Sequence, residues 1–295
     1  MRRRIIFTLA FMSLMVASSS GHCGEPASVV EHQTNGSINW TQGIIQAVGI
    51  GKPDETGSAK PLDASVKALY HAKKNAKLHL IKILKGIRID SHRNVANIAG
   101  QDYSILAKIH EIVFETREIE KLRKHRADGT VVVRVQIDLY GGFSQLVLPQ
   151  EIQQIESIKP VRPKNKPSIQ QAGKSSVPEA YTGLVVDARG IALRPALVPR
   201  LLDENGQEIF GTAYVSREFA VQWGTCGYMA SFNATINSDR VGRNPLFVKG
   251  LRTAGSGYSD IIISNTDAAK LLSSSKHLLF LKECRVLIVI DSPVK

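Results

Sequence analysis

The chain has 295 residues, of which 43% are hydrophobic and 22% charged, with 38 Lys and Arg against 26 Asp and Glu for a formal charge of +12. That length and apolar share are enough for two folded cores, and three cysteines are too few for a disulfide scaffold. The positive balance favours acidic partners over a neutral surface.

Arg2, Arg3 and Arg4 precede an apolar run from Ile5 to Val16, and the small residues Ala17, Ser19 and Gly21 follow it. This order predicts a removed signal peptide over residues 1–21, because a run of that length falls short of the ~20 residues needed to span the hydrocarbon core. The expected location is therefore the periplasm or the outer membrane, and removal of the three arginines takes the formal charge from +12 to +9. In that compartment the acidic partners would be anionic lipid headgroups or cell-wall polymer, not nucleic acid. Cys23 follows His22, whereas lipid attachment needs a small residue before the cysteine, so lipidation is not expected. No later segment is long and apolar enough for a transmembrane helix.

Four prolines (Pro160, Pro163, Pro167, Pro178) and several lysines interrupt all apolar periodicity, which marks residues 151–179 as a linker. It separates an expected domain at 36–150 from one at 180–295, each long enough to fold by itself.

In the first domain Trp40 to Gly51 reads as a strand ending in glycines. From Leu62 the apolar residues Leu69, Ala72, Ala76, Leu80 and Ile83 recur at helical spacing, and Asp63 supports the helix start. The helix is expected to stop at Gly86, with a short strand, Ile87 to Asp90, completing a β-α-β order. A second helix is predicted over Gln101 to Val113 with Tyr103, Leu106, Ile109 and Val113 on one face. Asp128-Gly129 is a tight-turn pair, and the alternation of Val131, Val133, Val135, Ile137 and Leu139 predicts a half-buried strand behind it. The preceding stretch from Phe114 to Arg126 could be helix by its charge pattern or strand by its place before the turn, and is read as the partner strand.

The second domain opens with a strand at Tyr181 to Asp187. Asn205-Gly206 predicts a hairpin joining a proline-containing strand to Glu208–Gly211. Ser216 to Trp223 reads as a short helix, Phe247 to Thr253 and Asp260 to Ile263 as strands, and Ser264 as the cap of a final helix ending near Lys276. Arg285 to Ile290 is apolar enough for a central strand. The fold class expected is α+β: two small domains, each a mixed or antiparallel sheet packed with one or two helices.

Three candidate sites emerge. Lys67, Lys74 and Lys85 fall on the polar side of the first helix and could contact an anionic surface. Asp187, Arg189 and Arg194 cluster after a strand, where an open sheet can bind a ligand or simply carry a loop ion pair. Cys226 and Cys284 could pair as a disulfide or remain buried thiols.

Known catalytic patterns are missing. Gly49-Ile50-Gly51-Lys52 lacks the phosphate-loop frame, since Gln46 stands where the first glycine is needed and Pro53 follows the lysine. His71, His79 and His92 have no metal-ligand spacing, and Ser256 has no nucleophile-elbow frame. No catalytic residue, metal or cofactor is assigned on these grounds.

Ser37-Ile38-Asn39-Trp40, Ala47-Val48-Gly49-Ile50-Gly51 and the Ala- and Lys-rich helix ending in Leu84-Lys85-Gly86-Ile87-Arg88-Ile89 resemble the bacterial LPP-twenty lipoprotein family, which is close to the N-terminal domain of flagellar assembly protein T. The likeness covers about Asn35 to Tyr140. It implies a small α+β module at the outer membrane or cell surface, with envelope or flagellar proteins as partners and no catalytic residues. The expected function is that of a non-enzymatic envelope protein supporting outer-membrane or flagellar basal-body assembly. The alternative is a periplasmic enzyme or binding protein acting on a cell-wall polymer or anionic glycan.

Overall fold

A computed structural model describes residues 28–53, 61–153, 181–235 and 238–291. The expectations for the signal peptide, for Cys23 and for residues 154–179 of the linker lie outside the described residues.

The fold is α+β and built on two sheets. The first has five strands in the order β1-β2-β3-β5-β4, from β1 (Val30–Gln33), β2 (Gly36–Asn39), β3 (Ile44–Gly51), β4 (Lys124–His125) and β5 (Val131–Asp138), with every neighbouring pair antiparallel. Helix α1 (Pro61–Gly86) lies across this sheet, with its Ala68, Ala72, Ala76 and Leu80 fully buried. Small residues on both partners bring helix and strand together. A Cβ on Gly49 would sit 2.0 Å from the Ala72 carbonyl oxygen, and one on Gly51 would sit 1.9 Å from that of Ala68. The glycines expected to end a strand therefore do so, and they also let the helix backbone approach the sheet.

The predicted strand at Ile87 to Asp90 does not form. Arg88 makes a single antiparallel bridge to Asn94, and the loop between them turns toward the second half of the chain. Ile87 and Ile89 are buried, so their alternation reported burial correctly and conformation wrongly. The predicted second helix is two: α2 (Val95–Gln101), closed by a capping box at Asn94, and α3 (Tyr103–Glu115), capped by Asp102. Ile109 and Val113 face the core as expected, but Tyr103 is exposed. The expected partner strand before Asp128-Gly129 shrinks to β4, preceded by a bridge from Glu118 to Val135. Helix α4 (Gly142–Val147) closes the first half.

The second sheet has seven strands in the order β8-β7-β11-β10-β6-β12-β9: β6 (Gly183–Asp187), β7 (Leu201–Leu202), β8 (Glu208–Phe210), β9 (Gly227–Met229), β10 (Pro245–Ala254), β11 (Asp260–Ile263) and β12 (Val286–Val289). β6 runs parallel to β10 and β12, β12 parallel to β9, and β10 antiparallel to β11. β12 is interior and wholly buried, as its apolar run predicts. Most of the expected proline-containing strand is loop, because Pro195 and Pro199 supply no ladder N–H, and only β7 pairs. Helices α5 (Arg217–Trp223), α6 (Asn265–Leu272) and α7 (Ser275–Lys282) complete the half, and Ser264 caps α6 by accepting from Asp267 N–H.

The halves share one continuous apolar core, which includes Trp40, Leu139 and Ile89 from the first and Tyr228, Leu197 and Cys226 from the second. Ile152, placed by sequence in the linker, is buried within it, and Gln153 accepts a bond from Arg217 N–H. Trp40 meets Tyr228 edge-on with ring centroids 5.8 Å apart. The 88–94 loop docks on the segment before β7 and on the turn between β10 and β11: Leu197 N–H donates to Arg88 O at 3.0 Å and Val198 N–H to Ile89 O at 2.7 Å. Ser91, buried at the loop tip, donates through Oγ to Ala254 O and accepts there from Ser259 and Asp260 N–H, while its carbonyl accepts from Gly257 N–H. Behind it Arg200 binds the buried Asp260 carboxylate and comes within 3.4 Å of His92. Two sheets of independent connectivity are thus joined by a largely buried, hydrogen-bonded seam.

Candidate functional site

Burial of Ala68, Ala72 and Ala76 against the sheet puts the opposite side of α1 in solvent, where Val66, Tyr70, Lys74 and Leu78 recur every fourth residue and form one ridge. The three apolar members are unusually open, at 60%, 64% and 53% exposure in that order. Phe114, at the end of α3, is 79% exposed and stands across from them. Between α1 and the segment from Phe114 to Glu120 runs a groove of about 920 Å³ with Val135 at its floor.

Cations line the groove. Lys77 Nζ donates to the Phe114 carbonyl oxygen and sits 5.0 Å from the Phe114 ring centroid, an electrostatically favourable place over the ring face. Lys73 Nζ binds Glu118 Oε1 at 2.7 Å, and Arg123 clamps the same carboxylate with Nε and Nη2. Burial alone would push the Glu118 carboxyl up, but the bonds from Arg123 and Lys73 outweigh it and hold the group below its ordinary value. Its contribution to stability is accordingly present above the ordinary carboxylate range and lost as pH falls through the lowered value. Glu118 is thereby neutralised in place. Lys74 and Arg117, both exposed, make no ion pair among the described residues.

Of the three lysines expected to form an anionic contact, only Lys74 lines this groove. Lys67 is exposed and Lys85 half-buried, and both lie on α1 outside it. Lys73, Lys77 and Arg117 were missed by sequence reasoning. The dense Lys73-Lys74 and Lys77 spacing was a visible signal, whereas Arg117 joins through the chain reversal after α3.

The second candidate closes on itself. Arg189 Nε and Nη2 bind the two oxygens of Asp187 at 2.7 and 2.9 Å, Lys249 Nζ adds a bond at 3.2 Å, and Asp291 accepts from Gly190 N–H. The Arg189 bond, backed by Lys249, holds the Asp187 carboxyl far below the usual carboxylate range. Arg194 is not in this cluster, its backbone N–H being tied to Tyr258 O. The pair reads as a clasp joining the ends of β6 and β12 to the middle of β10.

Cys226 and Cys284 are buried free thiols, so the structure gives no disulfide. Burial pushes the Cys226 thiol up to about 11 and the Cys284 thiol up to about 12, which leaves little thiolate at neutral pH. Folded protein should therefore react with a thiol-specific alkylating reagent far more slowly than denatured protein. Mass spectrometry after timed labelling measures this, and rapid labelling of either residue in the native state would contradict the burial.

Among the described residues no three His, Cys, Asp or Glu side chains are grouped as a metal ion would require, and no helix is long and apolar enough to cross a membrane. Residues 183–292 match the family described as Treponema pallidum Tp0624, second domain. The match begins at the first residue of β6 and ends just past β12, so it takes in the whole seven-stranded sheet and omits the groove. No curated protein matches the chain.

Proposed function

We propose that this chain is an exported, non-enzymatic protein that supports outer-membrane or flagellar basal-body assembly through protein contacts made by the groove on α1. The observation that carries this reading is the joint exposure of Tyr70, Leu78 and Phe114 beside Lys74, Lys77 and Arg117, with Val66 exposed one turn further along α1. Large apolar side chains left contiguous in water mark a contact surface, and the cations select what lands on it. The signal-like amino terminus and the resemblance over Asn35 to Tyr140 supply the compartment. The second unit, matched to a domain described as second in its own protein, follows another unit here too.

The test is cell fractionation of tagged protein beside a variant with Lys74→Gln, Lys77→Gln and Arg117→Gln. The native chain should lack residues 1–21 and sediment with envelope components, and the variant should move to the soluble periplasmic fraction. The unfolding free energy should fall by about 2 kcal/mol or less, since the exposed Lys74 and Arg117 contribute little and Lys77 gives up one hydrogen bond to Phe114 O. Native protein retained in the cytoplasm, or a variant that sediments as before, would refute the reading. Sedimentation with protein-free cell-wall sacculi would instead favour a polymer-binding protein or enzyme, for which the same cations are suited.

A further inference from the structure

We infer that the occupant of the groove is an acidic amphipathic helix presented by a partner protein. This inference rests on the proposed contact role and names the chemistry of the partner.

The shape of the surface is the first argument. From Tyr70 to Leu78 the groove follows eight residues of α1, about 12 Å at the helical rise, and the exposed Val66 continues the same ridge one turn beyond it, so the apolar positions form a line. A line of exposed apolar side chains opposite another aromatic fits a chain segment laid lengthwise, as in helix-in-groove recognition.

The second argument excludes an added strand. The nearest sheet edge is that of β5, but Lys124 and His125 already pair with Val132 and Val131, Glu118 bridges Val135, and Ile119 N–H donates to Arg134 O at 2.8 Å. An incoming peptide finds that stretch of edge occupied, so it must satisfy its own backbone bonds. A helix does this.

Charge gives the third. Glu118 is cancelled by Lys73 and Arg123, whereas Lys74 and Arg117 project without a counter-ion among the described residues and Lys77 faces the ring of Phe114. Glu120 also lines the Phe114 side, but the lining as a whole sets Lys73, Lys74, Lys77 and Arg117 against Glu118 and Glu120, so the surplus is positive and lies along α1, where an acidic face beside an apolar stripe complements it. A bilayer is the weaker match, since Val135 lies at the floor of a recess that a lipid surface would not enter.

A displayed library of helix-forming peptides, selected on the full mature chain, tests the inference. Enriched peptides should carry Asp and Glu with apolar residues at i, i+3 or i+4 and i+7, and should gain helical circular dichroism on binding. Measured by fluorescence anisotropy, a selected peptide should bind at least about tenfold more weakly to the Lys74→Glu, Arg117→Glu double variant and to Leu78→Ser. Lys85→Gln, on the same helix outside the groove, should bind as the unaltered chain does. Raising salt from about 0.05 to about 0.5 M should weaken binding further. Selection of basic or proline-rich extended peptides, binding indifferent to both groove variants, or no enrichment at all would overturn the inference. So would binding of phosphatidylglycerol–phosphatidylcholine vesicles with the variant sensitivity assigned to the peptide. Cell fractionation is not part of this measurement: protein that stays in the cytoplasm defeats the assembly reading alone, and envelope association without peptide enrichment defeats the helix alone.

Discussion

Gly49→Ala should lower the unfolding free energy by about 3 kcal/mol, a large effect for one added methyl group. The new Cβ would lie 2.0 Å from Ala72 O and 2.2 Å from Ala76 N, and both of these atoms belong to the backbone of α1. A flexible side chain could swing away, but a helix backbone can yield only by moving as a unit. Lifting α1 would loosen Ala68, Ala72, Ala76 and Leu80 from the sheet together, so the cost exceeds that of a local clash. Trimming Ala72 to glycine should not restore stability, because the obstruction is not its side chain. Gly86→Ala is the control, since nothing lies within 4 Å of a Cβ at that position. Urea unfolding of the three proteins measures the outcome, and a Gly49→Ala midpoint equal to the Gly86→Ala midpoint would show that the helix and strand are not in close contact.

A second substitution should match it in size at the seam between the halves. Arg200 places Nε and Nη2 at 3.1 and 2.5 Å from Asp260 Oδ2, its own N–H donates to Oδ1 at 3.2 Å, and the carboxylate has no solvent exposure. Arg200→Ala removes the counter-charge and leaves a buried carboxylate behind, which should cost about 3–5 kcal/mol. Pairing it with Asp260→Asn should recover part of that loss by removing the stranded charge. Arg200→Lys should fall between, because an ammonium keeps the charge and loses the two-pronged geometry. Asp260 N–H also donates to Ser91 Oγ, so loosening should reach the inserted loop and the buried Trp40. Thermal unfolding followed by tryptophan fluorescence reads both, and an Arg200→Ala melt coincident with that of the native chain would mean the pair does not secure the seam.

Periodic elements were the legible part of this chain. The Ala and Leu spacing of α1, the apolar run of β12 and the turns at Asp128-Gly129 and Asn205-Gly206 each follow from a short-range pattern, and each forms where the pattern places it. Short or polar elements left no such trace. β1 reads Val-Glu-His-Gln and holds its place through pairing with β2 and through Glu31, which accepts from Trp40 and Arg88, while α4 and α7 are too brief for a clear period. The 87–94 loop misled because the carbonyls of Arg88 and Ile89 find their donors in Leu197 and Val198, more than a hundred residues later.

The groove was half legible for the same reason: its lysines lie within one turn of α1, but Phe114 and Arg117 arrive after two more helices. Formal charge misled in another way. Arg217 donates to the carbonyls of Gln145 and Pro149, Arg240 to those of Trp223, Gly224 and Cys284, and Arg88 to that of Pro195. These guanidinium groups are spent on tying loops, so the basic balance of the sequence overstates the charge offered to a partner.

The turn between β2 and β3 bears on how copies of this protein behave toward one another. Thr41 Oγ1 donates to Tyr228 O at 2.8 Å and Trp40 covers the Tyr228 ring, so the outer border of β9, last strand of its sheet, is occupied by the first half. An unoccupied border of that kind is a template on which a neighbouring molecule can pair its own backbone. Separating the halves would uncover it, and a fragment beginning at Tyr181 is expected to associate with itself at concentrations where the intact chain stays dispersed. Self-association of that fragment, measured by sedimentation beside the intact chain, would give the amino-terminal unit the role of a shield.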